Sequence, residues 1–185
     1  MSALASDFTG NTVLIYDTDG NHLASTVVKE HDRDAKQVRI NSMPAGLNVN
    51  DECKILIISS PAPCEFNGKI KKIGGSPFIG MFQGQEKESR GATRYPVNTP
   101  AIITTHIING KPYPLQTPTT VRLINISTSG VRFRAPFYSF DVDDEFEMHL
   151  VISNARKKIT AKVVNGLDNV SEESTDYGCI FLLVE

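Results

Sequence analysis

The sequence has no tryptophan, only three cysteines, and no apolar run near the ~18 residues of a membrane-spanning helix. Cys53, Cys64 and Cys179 are odd in number and lack C-x-x-C spacing, so neither a disulfide framework nor a zinc ribbon is expected. Lysine and arginine total 19 against 21 aspartates and glutamates, a net charge of −2. That balance provides no basic field for long nucleic acid. We therefore expect a cytoplasmic protein with reduced thiols and no membrane span.

Helical periodicity is also scarce, and short β-branched runs separated by glycine and proline turns recur instead. In the first half they predict a hairpin of residues 12–16 and 23–28 and a buried strand at 54–59. The charged stretch 30–36 is interpreted as a solvated loop. Short strands at intervals of about ten residues are typical of a small β-barrel or sandwich.

The polar, unpatterned stretch after residue 82 predicts a linker and a domain boundary, giving domains 1–85 and 86–185. In the second domain, Asn109-Gly110 predicts a hairpin turn after an alternating strand. Further strands are predicted at residues 120–126, at 146–152 with 158–164, and at 177–184. The predicted fold class is all-β, with two small β-barrel domains in tandem.

Two short polar stretches have side chains suited to an anionic nucleotide. Arg90 and Arg94 lie four residues apart, and Asn125, Ser127 and Gly130 follow at the end of a predicted strand. A guanidinium donates paired hydrogen bonds to phosphate or to the O6/N7 edge of guanine. Strand alternation would direct Asn125 and Ser127 to one face, and Gly130 would let the chain turn close to a ligand.

This arrangement resembles the PilZ domains, bacterial receptors for cyclic di-GMP. Their signature is Arg-x-x-x-Arg followed by Asp/Asn-x-Ser-x-x-Gly, and it is matched here by Arg90 to Arg94 and Asn125 to Gly130. The resemblance covers about residues 86–185 and includes Val131-Arg-Phe133 and Tyr177-Gly-Cys-Ile-Phe181. It implies that the second domain is a PilZ-like antiparallel barrel. By domain order, the chain also resembles YcgR-type flagellar-brake proteins.

The resemblance implies a receptor whose ligand is cyclic di-GMP, with no catalytic cofactor and no metal. The implied ligand-binding residues are Ser89, Arg90, Arg94, Asn125, Ser127, Gly130 and Arg132. Many family members have an extra arginine where this chain has Ser89, and that arginine favours a stacked ligand pair. Ser89 therefore favours one ligand molecule per chain.

The resemblance also implies an output through other proteins. Because the two arginines of the first motif lie in the predicted linker, ligand binding would change the arrangement of the domains. A protein partner, such as the flagellar motor or another effector complex, would respond in motility or biofilm formation. A homodimer is left open.

Three other functions remain as alternatives. A PilZ-fold adaptor would bind a protein partner without the nucleotide. An oligonucleotide-binding barrel would need aromatic stacking platforms beside a basic groove, and neither motif has them. An enzyme is not expected, because Ser127 and Ser129 lack a base partner and His106 and His149 fit no triad. His22 and His31 lack metal-ligand spacing and are interpreted as surface residues.

Overall fold

The structure is a computed structural model that describes residues 7–82, 92–152 and 155–185. These residues form thirteen β-strands and a short 3-10 helix, Val170–Glu172, and the predicted all-β fold class is confirmed. The chain divides into two compact units, 1–59 with 63–91 and 60–62 with 92–185. The predicted domain boundary at residues 85 and 86 lies outside the described residues. None of the helical segments in these ranges is long and apolar enough to cross a membrane.

The first unit is an antiparallel sheet of seven strands in the order β2-β1-β5-β6-β7-β4-β3. The strands are β1 (Thr12–Tyr16), β2 (His22–Val27), β3 (Glu30–Asp32), β4 (Gln37–Arg39), β5 (Glu52–Ile58), β6 (Cys64–Ile73) and β7 (Ser76–Phe82). The sheet curls into a half-barrel, and β2 and β3 are its edge strands. Strands β1 and β2 form the predicted hairpin, and β5 includes nearly all of the predicted buried strand.

A hydrophobic cluster of the first unit lies on one face of this sheet, and Leu14 and Leu56 are buried on the other face. Val13, Ile15, Ile55 and Ile57 alternate inward from β1 and β5 and are 0% exposed. Burial of such a side chain contributes about 1.5–3 kcal/mol.

Two predictions for the first unit are wrong. The stretch 30–36 is not wholly a loop, because Glu30–Asp32 pairs with β4 as an edge strand. His31 is not a surface residue, because its side chain is 0% exposed. The imidazole stacks on Phe8 at 4.8 Å between ring centroids, and its Nδ1 accepts the Phe8 N–H at 3.2 Å. His22 is exposed, as predicted.

The second unit is a closed antiparallel barrel in the strand order β10-β13-β12-β11-β8-β9. The strands are β8 (Tyr95–Ile108), β9 (Lys111–Ile126), β10 (Gly130–Pro136), β11 (Glu145–Ile152), β12 (Ala155–Asn169) and β13 (Ser174–Val184). Asn109 and Gly110 form the predicted hairpin turn, with φ of 51° and 72°, as a type I′ turn requires. Strand β9 begins earlier than predicted and includes Pro112 and Pro114. Its pairing with β8 has a register shift between Ile103 and Thr105.

The barrel core is aromatic. Phe133 packs against Phe140, Phe146 and Tyr177 with ring centroids 5.4, 5.6 and 5.5 Å away. The Tyr177 hydroxyl accepts the backbone N–H groups of Ser139 and Phe140 at 3.1 and 3.3 Å. The core therefore also fixes the turn that connects β10 to β11.

Candidate functional site

The turn between β9 and β10 is organised by the hydroxyl of Ser127. This oxygen accepts the N–H groups of Ser129 and Gly130 at 3.3 and 3.2 Å and lies 3.3 Å from the Gly130 carbonyl oxygen. The Ser127 N–H donates to the same carbonyl at 2.9 Å, and the residue is only 6% exposed. Strand alternation therefore ends at Ile126, and the Ser127 hydroxyl serves the turn rather than the strand face that presents Asn125.

Gly130 is required by the close approach of β13. A Cβ at this position would lie 2.0 Å from the carbonyl oxygen of Cys179, far inside van der Waals contact. The neighbouring strands are held together there by a hydrogen bond from the Phe181 N–H to the Ser129 carbonyl at 3.0 Å. The predicted role of Gly130 was to leave room for a ligand, whereas the structure shows a requirement that comes from the barrel itself.

A row of polar residues crosses the outer face of the barrel beside this turn. Asn125 lies opposite Arg132 in β10 and Pro96 in β8, and side chains of directly opposed residues share one face. Arg132 in turn lies opposite Gly178. The Asn165 side chain extends over Gly178, with its Oδ1 2.5 Å from where a Cβ would lie. Gly178 and Asn165 have no predicted role in the sequence. They lie beside Arg132 because of the register of β10, β13 and β12.

Arg132 differs from Arg134 in its partners, although both face outward from β10. Arg134 donates to the Asp176 carboxylate at 2.6 and 3.1 Å and also to Glu172. The hydrogen bond that Arg134 donates to the Asp176 carboxylate raises the pKa of Arg134. The Arg132 side chain makes no hydrogen bond or ion pair with any described residue, and neither does the Asn125 side chain. Within the described part of the chain, the row therefore presents a guanidinium and a carboxamide side by side without partners.

The residues of the first motif are only partly described. Arg94 is exposed and has no hydrogen-bond or ion-pair partner among the described residues. It lies two residues before Pro96, the β8 neighbour of Asn125. Ser89 and Arg90 lie outside the described residues. Their predicted roles, like those of the other ligand residues, stay predictions.

A shallow groove of about 520 Å³ borders the polar row along the same strands. Its lining includes Pro100, Arg122, Arg134, Pro136 and Ser174. Arg122 lies opposite Arg134, and its Nε donates to Asn98 at 2.7 Å. Asn125 and Arg132 are not part of its lining.

The described residues contain no group of three or more His, Cys, Asp or Glu side chains arranged to hold a metal ion. Burial raises the pKa of the Cys53 and Cys179 thiols to about 11 and about 12. Thiols with such pKa values are protonated at neutral pH and are weak nucleophiles.

No family model matches the sequence, and no curated protein matches it. Three similar solved structures are the Bacillus subtilis inhibitor of motility MotI/DgrA, MrkH of K. pneumonia in complex with c-di-GMP, and Escherichia coli YcgR in complex with c-di-GMP. Their identities are 13%, 15% and 10%, and their TM-scores are 0.43, 0.37 and 0.38. The matches cover 96%, 93% and 94% of this chain, and 90%, 78% and 76% of those chains.

Proposed function

We propose that this chain is a receptor for cyclic di-GMP and has no enzymatic activity. One observation supports it above all others: Arg132 and Asn125 lie side by side on the barrel face without partners among the described residues. The pair adjoins the turn of the Asn-x-Ser-x-x-Gly motif. A guanidinium and a carboxamide at this spacing can hydrogen-bond both the phosphate and the guanine of a nucleotide.

In this proposal each side chain has a separate role. Arg132 donates to a phosphate or to guanine O6 and N7, and Asn125 bonds the polar edge of the base. Ser127 and Gly130 act mainly by holding the turn and β13 in place. Gly178 has no side chain of its own, and the Asn165 carboxamide occupies that space beside Arg132, where it adds a further polar group for the base.

The arginines of the first motif, Arg90 and Arg94, complete the proposed site from the segment before β8. Their engagement with the ligand changes the arrangement of the proposed domains, 1–85 and 86–185. A cytoplasmic protein partner, such as the flagellar motor or another effector complex, reads that change in motility or biofilm control. The domain movement and the protein partner are proposed by analogy with the PilZ family, which the motifs resemble.

The test is calorimetric titration of cyclic di-GMP into the wild type and into Arg132→Ala, Asn125→Ala and Arg94→Ala. Loss of a charge-assisted hydrogen bond costs about 1.5–3 kcal/mol, so each arginine variant should bind about ten- to a hundredfold more weakly. Arg156→Ala is the matched control, because Arg156 is an exposed arginine of the same barrel that lies away from the row. Arg156→Ala should bind cyclic di-GMP with the same affinity as the wild type.

Competition with GMP and cyclic di-AMP tests selectivity, and the fitted stoichiometry should be one ligand per chain because Ser89 replaces the extra arginine. Equal weakening in Arg156→Ala would show nonspecific charge attraction instead of a site. No binding by a folded wild type, even at millimolar ligand, would refute the receptor function. The nucleotide-independent PilZ-fold adaptor would then be the function to test.

A further inference from the structure

Strand β2 is an edge of the open sheet in the first unit. It pairs with β1 on one side, and no strand of the described residues pairs with its other side. It is six residues long, His22–Val27. An edge strand of this length presents a row of backbone donors and acceptors to another chain.

The hydrogen-bond pattern shows which groups face outward. The Val28 N–H, one residue after β2, donates to the Asn11 carbonyl at 2.9 Å. Because ladder bonds in antiparallel pairs occur at alternate residues, Thr26 and Ala24 bond to β1. The N–H and C=O groups of Ser25 and Val27 therefore point away from the sheet, and this alternation holds up to the register shift that sets Tyr16 opposite His22.

This edge lacks the features that usually prevent strand pairing. No lysine, arginine, aspartate, glutamate or proline occurs in β2. The opposite edge strand, β3, has three residues and includes Glu30 and Asp32. Short, charged edges resist pairing, whereas longer uncharged ones permit it. The two edges of this sheet are therefore not equivalent.

We propose that β2 is a dimerisation edge that pairs antiparallel with β2 of a second copy of this chain. With a two-fold axis at Ser25, Leu23 lies opposite Val27 of the second copy, and the two serines face each other. Apolar residues thus flank a small polar centre symmetrically, which makes the strand self-complementary. Such an isologous contact closes at two copies.

The charges at the two ends of β2 favour the same partner. Lys29 follows the strand, and the β1–β2 turn before it contains Asp17 and Asp19. Neither Lys29 nor Asp19 forms an ion pair with a described residue. Antiparallel pairing brings the lysine end of each copy to the acidic turn of the other, so opposite charges meet twice.

Two six-residue strands form a small contact, below the ~1,200 Å² of a stable interface. We therefore expect a reversible dimer whose population depends on concentration. The full-length protein is measured by sedimentation velocity from about 1 µM to about 1 mM, a range that spans weak association constants. The wild type should shift from monomer towards dimer and form nothing larger.

The decisive variants place charges at the two-fold axis. Ser25→Lys and Ser25→Glu each set like charges opposite one another and should weaken self-association about tenfold or more. An equimolar mixture of the two should restore the dimer, because unlike charges then meet. Ser171→Lys is the control, since Ser171 is exposed in the second unit and carries the same change in charge.

Circular dichroism first confirms that each variant is folded. If Ser25→Lys unfolds, Ser25→Pro replaces it, because that change removes an outward N–H and leaves the ladder to β1 intact. A wild type that stays monomeric over the whole range would overturn the proposal. So would a dimer that Ser25→Lys leaves unchanged, or a mixture of the charge variants that stays monomeric.

Discussion

Gly130→Ala gives the sharpest test of the motif turn, because the structure places backbone where the new methyl group would lie. The Cβ would be 2.0 Å from the Cys179 carbonyl oxygen and 3.1 Å from its carbon. Ordinary van der Waals contact begins near ~3.5 Å, so β10 and β13 would have to separate by more than about 1 Å. In the closed barrel each of these two strands also pairs with a second neighbour, so neither can move without disturbing that neighbour.

The expected cost follows from overpacking. Extra methylenes in a packed core cost about 1–3 kcal/mol and sometimes more, and a clash with backbone belongs at the upper end. For a unit of about 100 residues, each kcal/mol lowers Tm by roughly 4–8 °C. Gly130→Ala should therefore lower the Tm of the second unit by more than about 10 °C. Scanning calorimetry measures this directly.

Gly166→Ala is the matched control, because Gly166 also lies in a barrel strand and is exposed. There the nearest atom to the added Cβ would be the Thr175 methyl group at 3.2 Å, a side-chain atom that can shift. Its Tm should stay within about 3 °C of the wild type. A Gly130→Ala protein with a Tm equally close to the wild type would refute the steric account.

Three other variants test separate parts of the molecule. Ser127→Ala leaves two turn N–H groups without an acceptor and should cost about 1–3 kcal/mol of stability in urea unfolding even without ligand; unchanged stability would assign Ser127 to ligand contact alone. Asp176→Asn removes the charge that holds Arg134 and should cost about 1–2 kcal/mol in the same assay; a variant as stable as the wild type would show that this ion pair is dispensable. Burial lowers the pKa of His31 in the folded protein, so this side chain binds a proton more readily in the unfolded chain. The contribution of neutral His31 to the free energy of unfolding should therefore be fully present above pH ~6.5 and decrease below it. His31→Asn should flatten that slope in urea titrations at several pH values, and a slope that persists would implicate other groups.

Local patterns predicted most of the strands. Asn109-Gly110 marks its hairpin because both residues adopt positive φ, a requirement of the turn and not of the surroundings. Strand β5 is likewise predicted from its own apolar run, without reference to residues elsewhere in the chain. His31 shows where such patterns end, because its burial depends on Phe8, which lies 23 residues away. A histidine between charged neighbours has no local feature that indicates such a partner.

The motif predicts a candidate site, but it does not give the structural reasons for its residues. Arg132 and Arg134 look alike in the sequence, and only Asp176 and Glu172, 42 and 38 residues from Arg134, distinguish them. Gly130 and Ser127 serve the packing of β13 and the turn, which depend on contacts distant in the chain. Ser89, Arg90 and Arg94 keep their predicted roles as ligand residues until binding is measured.

The closed barrel has a consequence for how ligand binding can be observed. Each of its six strands is hydrogen-bonded to a neighbouring strand on both sides, so the described part of the barrel has no edge strand whose amides are open to solvent. Hydrogen exchange in these strands should accordingly be slow with or without ligand. Among the described residues of the barrel unit, the turn at residues 127–129 adjoins the polar row outside the strand ladders, and a bound ligand would slow its exchange there.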